Sequence, residues 1–120
     1  MNNGIESFND GLLILLQKKD NINSFGAQKN SRSKNDFIKK GSSFFKEETR
    51  RTQDFEFAEG LNHKLTLKVK IPYRTGISND LKIMIDNYLY DLIHYDYDRK
   101  KREIYLYLEG IGFFEWRVKK

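Results

Sequence analysis

Between Leu65 and Ile71 every second residue is apolar: Leu65, Leu67, Val69 and Ile71 alternate with Thr66, Lys68 and Lys70. Successive side chains of an extended chain point to opposite faces, so this is the pattern of a strand with one buried and one wet face. Pro72, which has no N–H for a ladder, closes it. The same period returns at Leu81, Ile83 and Ile85, which alternate with Lys82 and Met84 before the turn pair Asp86 and Asn87; Tyr88 to Tyr95 then come back as the second arm of a hairpin. A charged turn, Asp96 to Lys101, leads into Arg102 to Glu109, with Ile104, Leu106 and Leu108 on one face and Tyr105 and Tyr107 on the other. Short antiparallel strands this close together predict an all-β fold, a small barrel or sandwich with long loops and at most one short helix.

The first half of the chain is less regular. Leu12 to Leu16 is a continuous apolar run after Asn9, Asp10 and Gly11, and reads as a buried strand over Gly11 to Gln17. Asn21 to Asn35 is rich in Asn, Ser, Lys and Gly without apolar period, and predicts a mobile loop over about 21–36. Phe37, Ile38, Phe44 and Phe45 surround Gly41, Ser42 and Ser43, as in a bent or bulged strand over Phe37 to Glu48. Thr52 to Ala58 is where a short helix fits, with Thr52 as N-cap, Asp54 and Glu56 in the first turn and Gly60 as the stop. At the far end Gly110 to Val118 carries Phe113, Phe114 and Trp116 between flexible glycines. This stretch is either a last strand or a docking arm over about 110–120, since Trp and Phe are enriched at interface hot spots.

At 120 residues and 14.3 kDa the chain fits a single domain spanning 1–120. Nine Phe, seven Tyr and one Trp must carry much of its packing, because hydrophobic residues are only 38% of the total. With no cysteine, disulfides, thiol catalysis and Cys-based metal sites are excluded. The longest apolar run falls far short of the roughly 20 residues of a membrane span, so no membrane association and no secretion are expected. A net charge of +5 favours a polyanion or an acidic surface as partner, yet only Arg99, Lys100, Lys101 and Arg102 form a compact basic run.

Enzyme chemistry finds no foothold. His63 and His94 lie in no ligand-like spacing, and Gly110, Ile111 and Gly112 lack the Lys and Ser/Thr of a phosphate-cradling loop. Asp96 and Asp98 fall at a strand end or turn and read as solvated residues rather than an acid–base pair, and Ser42 and Ser43 have no partner base. No catalytic residue, metal site or cofactor is therefore expected.

The order of pieces nevertheless resembles a family. Thr52 to Ala58, then His63 to Ile71 with Tyr73 and Arg74, Gly76 to Ile83, Tyr88 to Ile93 and Asp96 to Glu109 together look like the head-closure, or head–tail adaptor, proteins of tailed bacteriophages. The likeness covers residues 50–109 in order and with close spacing; it departs from the family at the lone Trp116, at the loop Asn21 to Asn35 and after Gly110. It implies a non-enzymatic virion protein of the neck, made in the host cytoplasm, that forms a homo-oligomeric ring of twelve copies beneath the portal and its adaptor. Such a ring closes the DNA-filled head and offers the tail-completion or terminator protein an attachment surface. In some relatives the loop between the second and third strands enters the DNA channel. Here that loop is about Lys46 to Gly60, which makes Arg50, Arg51, Gln53, Asp54 and Glu56 candidates for contact with packaged double-stranded DNA. Phe113, Phe114 and Trp116, beyond the likeness, are candidates for docking by residue type alone. The alternatives are a tail-completion or tail-terminator ring protein, and a small basic barrel that binds single-stranded nucleic acid on Tyr88, Tyr90, Tyr105 and Tyr107.

Overall fold

The computed structural model describes residues 8–18 and 37–113. Six strands, β1 (Gly11–Lys18), β2 (Phe37–Glu47), β3 (Leu67–Pro72), β4 (Leu81–Ile85), β5 (Tyr88–Asp98) and β6 (Glu103–Phe113), and one helix, α1 (Thr52–Gly60), make up the described fold. Every strand pair is antiparallel, and the order β1-β2-β3-β6-β5-β4 closes on itself when β1 pairs with β4. The β2–β3 seam is the shortest, with only Lys46 opposite Lys70 and Glu47 opposite Val69, so β2 runs past β3 along most of its length.

The inward faces fill the barrel. Leu13 and Leu15 from β1, Val69 and Ile71 from β3, Ile83 and Ile85 from β4, Leu92 from β5 and Ile104, Leu106 and Leu108 from β6 form one buried apolar cluster. Each such side chain contributes about 1.5–3 kcal/mol relative to exposure. A second buried cluster, Leu16, Phe37, Met84 and Leu89, lies on the other face of β1 and β4, so Met84 does not occupy the wet face its alternation suggests.

Three bulges shape the barrel. Between Leu15 and Leu16 the β1–β2 register slips past Lys40, next to Gly41. A Cβ at Gly41 would stand 2.6 Å from an Arg74 Nη2, so the missing side chain lets the guanidinium lie across β2, where Arg74 Nη1 donates to the Ser42 carbonyl at 3.0 Å. In β5 a slip between Leu92 and His94 leaves Ile93 as the extra residue against β6, and a second slip, opposite Leu89 and Tyr90, leaves Ile111 of β6 as the extra one. Asp86 and Asn87, at φ 52° and 66°, supply the two left-handed residues of a tight hairpin turn between β4 and β5.

Several boundaries differ from the sequence expectation. β3 begins at Leu67, and Leu65 leaves the strand pattern to pack with Ala58 of α1. β5 runs on through Asp96 to Asp98, so the turn shrinks to Arg99–Arg102; the cross-strand pairs with β6 outweigh the turn preference of the two aspartates. Gly110 to Phe113 do not begin a separate arm but continue β6 against β5, while Phe114, Trp116 and the rest of that arm, like the loop 21–36, lie outside the described residues.

Candidate functional site

The β2–β3 connection carries α1, and the chain folds it where an acidic residue can serve both ends of a local need. Arg51, not Thr52, is the N-cap: its N–H donates to Asp54 Oδ2 at 2.8 Å, while the Asp54 N–H bonds the Arg51 carbonyl. The same Asp54 oxygen accepts from Lys68 Nζ at 3.0 Å, with both side chains buried. Burial alone would push the Asp54 carboxyl up, but the Arg51 N–H and the Lys68 ammonium outweigh it and hold the group below the usual carboxylate range. Lys68 also sits 5.4 Å from the centre of the Tyr105 ring and 5.2 Å from that of Tyr107.

The outer wall beneath α1 is therefore a mixed shelf rather than a wet face. Ala58, Leu65, Ile93 and Tyr107 form a third buried cluster, against which Tyr105 packs. The bulge in β5 turns both Ile93 and His94 toward α1, and His94 meets the Phe57 ring at 4.9 Å. Burial raises the Tyr107 hydroxyl to about 12, with Asp54 adding to it. Past the helix, Asn62 takes the left-handed conformation (φ 64°) that ends it, the role expected of Gly60. His63 Nδ1 then meets Glu109 Oε1 at 2.6 Å and ties the segment to β6.

Of the five residues expected to face a channel, Asp54 is buried in its ion pair. Arg50 is exposed but held, donating from Nη1 to the Thr66 carbonyl at 2.6 Å and lying 5.5 Å from the Phe55 ring centre. Arg51, Gln53 and Glu56 are exposed along α1. Phe113 is 74% exposed at the end of β6, its ring 5.2 Å from Tyr88.

The four tyrosines expected to stack bases are occupied. Tyr107 lies under α1, Tyr105 faces Lys68, Tyr90 packs against the main core, and Tyr88 meets Tyr90 and Phe113 edge-on. A different aromatic pair is exposed instead: Tyr73, just past β3, and Tyr97, near the end of β5, with ring centres 4.7 Å apart. They stand beside the Arg99–Arg102 turn. A groove of about 520 Å³ lined by Asp96, Tyr97, Asp98, Arg99, Lys100 and Tyr105 opens next to it. Sequence reading noted Tyr73 and the basic run separately. Only the β3–β6–β5 register, with Pro72 opposite Glu103 and Tyr97 opposite Ile104, joins them.

Among the described residues no three His, Asp or Glu side chains converge as a metal ion would need. The chain matches no protein-family model and no curated protein.

Proposed function

We propose that the protein is a structural subunit of a tailed-phage neck: a head-closure protein whose copies form a ring below the portal and its adaptor, retain the packaged DNA and receive the tail. The observation that carries the reading is that the exposed apolar side chains include two groups on different walls of one closed barrel. Leu12 and Phe44 are directly paired across β1 and β2, at 46% and 62% exposure, while Phe55, Phe57 and Leu61 stand out from α1 and its end. A ring built head-to-tail needs two unlike surfaces on each subunit, and these would supply them. The helix suits such a contact, since Asp54 and Ala58 are its only buried residues. The proposed channel-facing set is Arg51, Gln53 and Glu56, with Arg50 as a tethered fourth; Asp54 is withdrawn from it, because its carboxylate already neutralises Lys68.

The test is electron microscopy of particles assembled with and without this gene. Capsids that package DNA, lose it and carry no tail support the reading. Filled capsids with normal tails refute it.

A further inference from the structure

At the tip of the β5–β6 hairpin four cations, Arg99, Lys100, Lys101 and Arg102, occupy successive exposed positions. Consecutive like charges repel, and Arg102 sits at φ 55°, a left-handed conformation that a side chain other than Gly, Asn or Asp rarely takes. Among the described residues none of the four forms an ion pair with a carboxylate. Asp98 accepts the Lys101 backbone N–H at 3.1 Å; Glu103 is buried beside Lys70; and Asp96 lies 3.6 Å from His94. The turn holds its charges outward, and the fold does not neutralise them.

Two of these cations are also held in place. Arg102 Cζ lies 5.8 Å from the Tyr73 ring centre and Arg99 Cζ 5.8 Å from that of Tyr97, while the two rings are tilted by 32° against each other. Arg102, Tyr73, Tyr97 and Arg99 thus form one contiguous cluster. The Tyr73 N–H donates to the Arg102 carbonyl at 2.9 Å and ties the cluster to the end of β3. A guanidinium stacked on a ring leaves its N–H edge free, and that planar fork matches the oxygens of a phosphate. The rings, each against the other and within reach of an arginine, serve here to place the guanidinium groups.

We infer that this tip is a contact for the phosphodiester backbone of nucleic acid, independent of base sequence and separate from α1. The inference stands without the ring reading. It commits to phosphates rather than to acidic protein, because rows of phosphate suit a rigid guanidinium pair with two flexible lysines between its members.

The experiment measures binding of the full chain to a fluorescent mixed-sequence duplex across a salt series. One variant carries Arg99→Gln, Lys100→Gln, Lys101→Gln and Arg102→Gly; a charge-matched control carries Lys39→Gln, Lys40→Gln, Lys46→Gln and Lys64→Gln, all exposed elsewhere. The tip variant should lose tenfold or more in affinity at low salt, and its salt slope should become shallower by roughly 0.9 for each phosphate contact removed. The control should lose far less. Tyr73→Leu with Tyr97→Leu should weaken binding several-fold while circular dichroism stays unchanged. Three results would overturn the inference: no binding by the natural chain, equal losses in tip and control variants, or displacement of the duplex by polyglutamate as readily as by unlabelled DNA.

Discussion

The shelf under α1 and the hairpin tip are both rich in charge and aromatic rings, yet they use them oppositely. Under α1, Lys68 is enclosed by Asp54, Tyr105 and Tyr107, and its charge is consumed by the fold. At the tip, Arg99 and Arg102 lie on Tyr97 and Tyr73 with their charges open to solvent. A cation over a ring is thus a structural device in one place and a presented one in the other, and the presence of a buried carboxylate decides which. Substitutions should therefore damage stability at the shelf and leave it intact at the tip.

The largest effect is expected from breaking the shelf pair. Lys68→Ala leaves a buried carboxylate without its partner and should cost about 3–5 kcal/mol in denaturant unfolding. Asp54→Leu together with Lys68→Met removes both charges and should recover most of that loss. If the double variant is as unstable as the single one, packing and not charge is what Lys68 supplies.

The pH dependence sharpens the same contrast. Asp54 has a folded pKa below its unfolded value, so its contribution is present above pH about 4 and is lost as pH falls through the folded value. Tyr107 behaves in the opposite sense: its folded value is about 12 against 10.0, so its contribution is complete below pH 10 and is lost as pH rises toward 12. Two units correspond to roughly 2–3 kcal/mol. Thermal unfolding of Tyr107→Phe should show a flatter alkaline limb than the natural chain; an unchanged limb would remove Tyr107 from the account.

A smaller effect is expected at the β2 bulge. Gly41→Ala pushes the Arg74 guanidinium off the strand and should cost about 1 kcal/mol through its bond to the Ser42 carbonyl. The smallest belongs to the tip. Replacing Lys100 and Lys101 by Gln should move stability by less than about 0.5 kcal/mol, because no packing or ion pair among the described residues depends on them. A larger loss would make the tip structural after all.

How far these regions were legible in the sequence follows from the range of the interactions involved. Strand alternation identified Val69, Ile71, Ile83, Leu106 and Leu108 as inward, since a period of two is a local property of the backbone. The same rule assigned Lys68 to water and was wrong, because a helix placed by a residue 14 positions earlier covers that wall. The β5 bulge that turns Ile93 and His94 to one side leaves no mark in a single strand's pattern, for it exists only relative to β6. Asp96 and Asp98 could be read as a strand end or as a turn, and their pairing with Tyr105 and Glu103 of β6 makes them the end of β5. Gln53 and Glu56 were placed on a short helix by the pattern of Thr52 to Ala58, whereas Arg51 fell before the expected cap and is itself the N-cap. The tip, however, was invisible as a unit: Tyr73 and Tyr97 are brought to 4.7 Å by pairing across three strands.

Whether copies of this barrel form the proposed ring, with α1 toward its lumen, is decided by cryo-electron microscopy of the neck of intact particles. The expected result is a ring of six-stranded barrels around the DNA, with Arg51, Gln53 and Glu56 lining the channel and the Leu12–Phe44 wall against a neighbouring copy. A neck without this chain, or a ring in which α1 faces outward to solvent, contradicts it.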